Sequence, residues 1–313
     1  MLRLGVLGSI NRDTIESAAG RVTESLGGVL YTACAAAYLG DGQIAIRLIA
    51  RVGSEVEEAV REVVRQTPLL SDAGLLASSG PGFHSHIRYR ADGGKREVLT
   101  GDLPPLELHE IEAHLADLDG LLVNFITGLE LGLSTFAQLR SRVHGPLLAD
   151  VHSLTLGRRP SGERFWRRPD QWEAWLAAMS HVQMNQEEAS LLAGIYSPSV
   201  AQLASFAQRV LCLGPAMCAI TRGALGAVAA ARRPSGQVEV CDAPAPPPPP
   251  LAGVDPTGCG DVFLAGLGVA ALNGIPPSGA LELANRAASL NCELSGIREL
   301  DRLAAIAVGR GRA

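Results

Sequence analysis

Asp255-Pro256-Thr257-Gly258-Cys259-Gly260-Asp261 runs directly into Val262-Phe263-Leu264-Ala265-Gly266, a small-residue turn that opens an apolar helix and carries one carboxylate. Glycines at 258 and 260 let backbone N–H groups approach an anion, and the first turn of the helix adds its positive dipole end. Asp261 then stands beside the anion, placed to accept a proton from a hydroxyl while the amides hold charge on a transferring phosphoryl group. A plainer role is open to the same residues: Thr257 as a helix cap and Asp261 as an acid favouring the dipole. The rest of the chain has to decide between them.

The chain has 313 residues, 47% hydrophobic, enough to bury a large α/β core. Its net charge of −5 leaves no basic field for nucleic acid or an anionic membrane, so the expected partners are small molecules. Six cysteines, Cys34, Cys212, Cys218, Cys241, Cys259 and Cys292, form no C-x-x-C pair and accompany no histidine cluster. That argues against a zinc site and a disulfide framework. An opening strand without a signal-like leader gives a cytoplasmic expectation. The longest apolar helix falls far short of the ~20 residues a bilayer needs. Lys95 is the only lysine, and it cannot serve a Walker P-loop, because Arg96 follows it and Tyr89 occupies the place of the first glycine. Gly5-Val6-Leu7-Gly8-Ser9-Ile10 likewise misses the G-x-G-x-x-G of a dinucleotide fold.

Short apolar runs at 2–8, 44–50, 120–124, 146–151, 181–184 and 217–221 read as strands. Helical spacing fills 55–66, 107–117, 134–143, 186–194 and 199–211 between them. This alternation predicts a three-layer α/β/α sandwich around a mainly parallel sheet, one unit over 1–313. Two segments break the rhythm: 84–99 alternates around Asp92-Gly93-Gly94, and 13–28 does so more weakly up to Gly27-Gly28. Paired, they make a small β lid; unpaired, they are surface hairpins. A further hairpin, 226–231 with 237–242, precedes a proline run from Ala243 to Pro250 that reads as a stiff lead into the 255–261 turn. The segment Arg158 to Arg168, with five arginines around Phe165 and Trp166, reads as a solvated basic loop. Helices over 258–273 and 278–294 are apolar nearly all round and should be central, with Gly266 and Gly268 permitting close packing.

At this point the chain resembles the ribokinase-like, or PfkB, carbohydrate kinases over most of its length. Their C-terminal signature, D-T/P-x-G-A/C-G-D before a small and apolar helix, is matched by Asp255 to Asp261. Gly8-Ser9-Ile10-Asn11-Arg12-Asp13 resembles the end of the family's first strand, and Gly27-Gly28 its double glycine. Asn185-Gln186-Glu187-Glu188 resembles its N-x-x-E, and Thr221-Arg222-Gly223-Ala224-Leu225-Gly226 its T-x-G-x-x-G loop. The resemblance implies ATP-dependent phosphorylation of a hydroxyl on a small polyhydroxy substrate. Asp261 is then the general base, and Gly258, Cys259 and Gly260 supply the anion hole. Asn185 and Glu188 organise Mg2+ through water, Thr221, Gly223 and Gly226 line the nucleotide, and Asp255 with Thr257 are candidates for a monovalent cation such as K+. Asn11, Asp13, Gly27, Gly28, Tyr31 and Asn124 fall to the acceptor. Family lids often pair in homodimers, an option that the short 13–28 segment leaves open.

Several positions depart from the family. Tyr31 stands near a usual Asn, Ile126 near a usual Glu, and Asp150-Val151-His152 lacks the Arg of D-x-N-x-R. Tyr31 either offers a ring face and a hydroxyl to a cyclic acceptor or packs in the core. Because the acceptor half is rewritten, a catalytically silent ligand-binding or regulatory protein on the same fold stays as the alternative.

Overall fold

A computed structural model describes residues 1–90, 94–246 and 256–308. Asp92 and Gly93 of the expected lid turn, 247–250 of the proline run, and Asp255 lie outside the described residues. Among those described, a nine-stranded sheet runs in the order Val238–Ala243, Ala227–Arg232, Met217–Thr221, His181–Asn185, Leu147–Asp150, Gly120–Asn124, Leu2–Gly8, Ile44–Val52, Leu70–Ala77. The strands from Met217–Thr221 to Leu70–Ala77 pair in parallel, and the last hairpin adds two antiparallel strands at one edge. All six strands expected of the central sheet are in it.

Alternation along these strands separates two cores. Leu4, Val6, Leu122 and Leu148 face one layer, built by helices Val29–Leu39, Cys259–Leu272 and Pro277–Asn291. Leu7, Val123, Leu147 and Val182 face the other, where Phe136, Leu192 and Phe206 pack from shorter helices. Two sheet faces buried by opposite layers require near-continuous apolar strands, as the sequence has. The helix Cys259–Leu272 lies close against its neighbours. A Cβ at Gly266 would come 2.8 Å from Ala284 Cα, and one at Gly268 2.5 Å from Leu122 Cδ2, so hydrogen is the side chain these contacts accept.

The lid is a four-stranded sheet in the order Val22–Gly28, Ile10–Glu16, Phe83–Tyr89, Lys95–Thr100. It begins three residues before the expected 13–28 segment because strand pairing starts at Ile10↔Gly28. Four elements correct the sequence reading. Leu70–Ala77 is an edge strand of the main sheet that the apolar pattern concealed. The basic 158–168 segment is mostly exposed, as expected, but it is not a loop: Leu156–Arg158 and Arg164–Trp166 form a hairpin that touches the lid through a Val98↔Glu163 bridge. The helix expected over 107–117 is a short turn, Leu108–Ile111, continued by a 3-10 segment. Trp172–Ala177 is a further helix. Among the described residues no helix is long and apolar enough to cross a membrane.

Candidate active site

The parallel strands end on one rim of the sheet, where ligands bind in doubly wound folds. Gly8, Asn124, Asp150, Asn185 and Thr221 are their last residues on that side, and the lid stands over them. Between rim and lid is a cleft of about 510 Å3. It gathers Asn11, Asp13, Gly28, Tyr31, Asn185, Glu188, Thr221, Gly223, Thr257, Gly258, Gly260 and Asp261, brought together from across the whole chain.

The floor is the turn before helix Cys259–Leu272. Gly258 has φ 77°, a left-handed conformation that glycine adopts without strain, and a Cβ there would lie 2.4 Å from Tyr31 Cδ1. The amides of the first helical turn lack intrahelical partners by construction and point toward the cleft end. Cys259 departs from its expected part in the anion hole: its N–H closes the turn onto Pro256 O at 3.2 Å, and its Sγ lies 3.1 Å from Cys292 Sγ behind the turn. Gln183, buried on the strand His181–Asn185, donates from Nε2 to Gly260 O at 2.8 Å and ties the turn to the sheet.

Asp261 receives a 2.6 Å hydrogen bond on Oδ1 from Asn124 Nδ2. Burial raises its pKa, the charge of His152 and the Asn124 bond hold it back, and the balance pushes it up to about 6. Such a carboxylate is charged at neutral pH yet more basic than an exposed one, the condition a general base needs. Asn124 itself does not reach an acceptor. It is 0% exposed, because it closes an apolar strand and points at Thr32 and Asp261. Tyr31 borders the cleft but is only 4% exposed, since its ring packs beneath Gly258; of its two open roles, packing dominates.

The lid side brings the polar side chains of Asn11 and Asp13 to the cleft. Asn11 Oδ1 is buried and has no hydrogen-bond partner among the described residues. Asp13, 7% exposed, presses against Gly27, where a Cβ would sit 1.8 Å from its Oδ2. Gly27 therefore makes room for a carboxylate and does not line the cleft, while Gly28 (φ 68°) turns the chain into helix Val29–Leu39. Burial first, then the charges of Asp261 and Glu97, push Asp13 up to about 8. The folded protein thus holds a proton that the unfolded chain releases near 3.8, and stability falls as pH rises between those values. Asp13→Asn is expected to melt higher than the parent at about pH 8, with the gap closing toward about pH 4, as thermal denaturation at both values reads. Equal melting temperatures at both would contradict this environment for Asp13.

Sequence reasoning missed the other lid residues, Ser85, Ile87, Tyr89, Lys95 and Glu97. Period-2 alternation within 84–99 puts 85, 87 and 89 on one face, but only strand pairing says which face is inward. Glu97 is held by Lys95 Nζ at 3.3 Å and lies 4.0 Å from Arg164 Nε on the extra hairpin.

Asn185 and Glu188 form a reciprocal helix cap. Asn185 Oδ1 accepts from Glu188 N at 2.9 Å, and the Glu188 carboxylate accepts from Asn185 N and Nδ2. His152, in a left-handed conformation (φ 28°), places Nδ1 3.8 Å from Glu188 Oε1. Burial works to lower its pKa, but Glu188, Asp150 and Asp261 outweigh it and push it up to about 9. Asp150 is raised by burial and by Glu188. No group of three acidic, histidine or cysteine side chains at ligand spacing exists among the described residues. The carboxylates of Glu187, Glu188 and Asp261 leave this wall acidic beside His152, which fits a hydrated Mg2+ held through water and not by direct ligation. Of the monovalent-cation pair, Thr257 can be placed: it sits in the turn with its carbonyl accepting from Asn291 Nδ2 at 2.8 Å.

Behind the turn, Thr221, Gly223, Gly226, Phe263, Ala288, Ser289 and neighbours line a second, mostly apolar pocket of about 340 Å3, continuous in lining with the cleft through Thr221, Gly223, Pro256 and Gly260.

Residues 159–302 match the model of the pfkB family carbohydrate kinases. The resemblance to ribokinase-like, PfkB-type kinases holds. A pyrophosphate-dependent kinase of the ribokinase family solved with sulfate superposes with a TM-score of 0.77 at 18% identity, covering 96% of this chain and 99% of that one. Ribokinase from Thermotoga maritima gives 0.74 at 19%, covering 98% and 99%. A Burkholderia thailandensis nucleoside kinase bound to inosine gives 0.69 at 19%, covering 95% and 93%. No curated protein matches the sequence. At these identities the solved structures establish a shared fold, and the ribokinase-like architecture extends over nearly the whole chain.

Proposed function

We propose that this protein transfers the γ-phosphoryl group of ATP to a hydroxyl of a small, uncharged polyhydroxy substrate: a sugar, a cyclitol or a nucleoside. One observation carries the reading. Asp261 stands at the mouth of a glycine turn on a helix N-terminus, with hydroxyl-binding Asn11 and Asp13 on one side and an apolar pocket on the other.

The acceptor lies between lid and floor, where Asn11 Oδ1 and the Asp13 carboxyl meet its hydroxyl groups and Ile126 and Tyr31 give it apolar edges. Asp261 removes the proton of the attacking hydroxyl. The first-turn amides at Gly258 and Gly260 hold the charge on the phosphoryl oxygens, at the positive end of a buried helix. Mg2+, when bound through water to Asn185 and Glu188, would neutralise donor phosphate charge. The lid excludes water, which keeps the phosphoryl group from hydrolysis.

Relatives by fold include pyrophosphate-dependent kinases, so the donor needs its own argument. The 340 Å3 apolar pocket beside the anion turn fits a purine base, and pyrophosphate would leave it unfilled. The test is ADP or phosphate release with ATP and with pyrophosphate against D-ribose, myo-inositol and inosine. Turnover with ATP and none with pyrophosphate is expected. Equal use of pyrophosphate would refute the nucleotide assignment, and no turnover with any acceptor would favour the silent binding protein.

A further inference from the structure

Asn124 is a polar residue in an apolar place. It ends the strand Gly120–Asn124 between Val123 and Phe125, each fully buried, and is itself 0% exposed. Its Nδ2 has two hydrogens and both are used, one on Thr32 Oγ1 at 2.9 Å and one on Asp261 Oδ1 at 2.6 Å. Its Oδ1 is buried with no hydrogen-bond partner among the described residues. A buried, half-satisfied amide costs stability that an aliphatic side chain would not. The same arrangement recurs across the sheet. Gln183 donates from Nε2 to Gly260 O, and its Oε1 is also buried without a partner. Two amides on two strands, Asn124 at the end of one and Gln183 within the other, thus grip adjacent residues of one helical turn, the carbonyl of Gly260 and the carboxylate of Asp261.

Which end of the Asn124 amide meets Asp261 follows from chemistry. A charged carboxylate only accepts, so the amide must present N–H, and Thr32 Oγ1 can accept from the same nitrogen. A hydroxyl at 32 and an amide at 124 therefore fix an orientation suited to the ionised base.

We infer that Asn124 is a positioning residue for Asp261: its bond to Oδ1 keeps the carboxylate ionised and turned so that Oδ2 meets the acceptor hydroxyl. The inference rests on the reading of Asp261 as general base. The other titratable groups coupled to Asp261 are Asp13 from the lid, Asp150 and His152 from the next strand end, and Cys259 from its own helix. Changing Asn124 leaves all four in place.

The test titrates Asp261 itself, in full-length protein carrying 13Cγ-labelled aspartate, with Asp261→Asn to assign its resonance. Loss of a hydrogen bond to the charged form should raise the Asp261 midpoint in Asn124→Leu by roughly one pH unit. Asn124→Ser, shorter and still polar, should move it the same way, and serves if the leucine variant does not fold. With ATP and the acceptor that turns over, kcat should fall roughly 10- to 100-fold while acceptor KM stays within about threefold. An unmoved midpoint overturns the inference, as does a moved midpoint with kcat unchanged. A purely structural role would lower the melting temperature and leave the midpoint alone, which also overturns it. If the parent protein turns over no acceptor, the kinase reading fails on its own, while the midpoint still decides whether Asn124 holds the Asp261 carboxylate.

Discussion

Asp261→Asn is expected to lower turnover by about 10^2- to 10^4-fold while leaving nucleotide affinity nearly unchanged. The amide is isosteric, and Asn124 Nδ2 can still donate to its Oδ1, so the 2.6 Å contact and the turn survive the change. What disappears is the group that takes the hydroxyl proton. The parent protein should show the same loss reversibly with pH. Asp261 must be ionised to act, and burial sets its pKa at about 6, so kcat/KM should hold above that value and fall tenfold per pH unit below it. The variant should lack this limb. Initial rates across pH, with isothermal titration of an ATP analogue, separate lost chemistry from lost binding. A variant that keeps its activity would place the base elsewhere.

Gly258→Ala is expected to be nearly as damaging for a different reason. At φ 77° a Cβ strains the backbone by about 1–2 kcal/mol. It would also stand 2.4 Å from Tyr31 Cδ1, within a ring that fills the space beneath the turn. The turn must move, and amides displaced from the phosphoryl oxygens lose roughly 10^2- to 10^3-fold in kcat. Adding Tyr31→Ala relieves the clash but leaves the torsion and opens a cavity where the ring packed, so the double variant should recover little of the turnover and none of the lost melting temperature. Activity equal to that of the parent in Gly258→Ala would show that this turn does not hold the transferring group.

Both residues stand out in the sequence because the 255–261 segment combines φ-permissive glycines with a single acid at the head of an apolar helix. The six central strands are equally readable, since strands buried on both faces need uninterrupted apolar runs. Leu70–Ala77 escaped because Ser71, Asp72 and Gly74 interrupt its pattern. It is an edge strand, and Gly74 permits its close approach, a Cβ there lying 2.6 Å from Leu48 O. The site was harder to read wherever direction mattered. Asn124 and Tyr31 sit where a family pattern suggests acceptor contacts, yet one turns to Asp261 and the other beneath Gly258. Asn185 and Glu188 are both a helix cap and a cleft wall, two roles that one pair of side chains satisfies together. Glu97 and Lys95 reach the cleft through strand register, which no local pattern encodes.

The central claim is phosphoryl transfer to an alcohol with Asp261 as base, and the most direct measurement is 31P NMR of ATP and Mg2+ with the acceptor panel. The parent protein should convert the γ-phosphate resonance into that of a phosphomonoester, and Asp261→Asn should leave ATP intact. Inorganic phosphate as the sole product, or a phosphomonoester formed equally well by the variant, would contradict it.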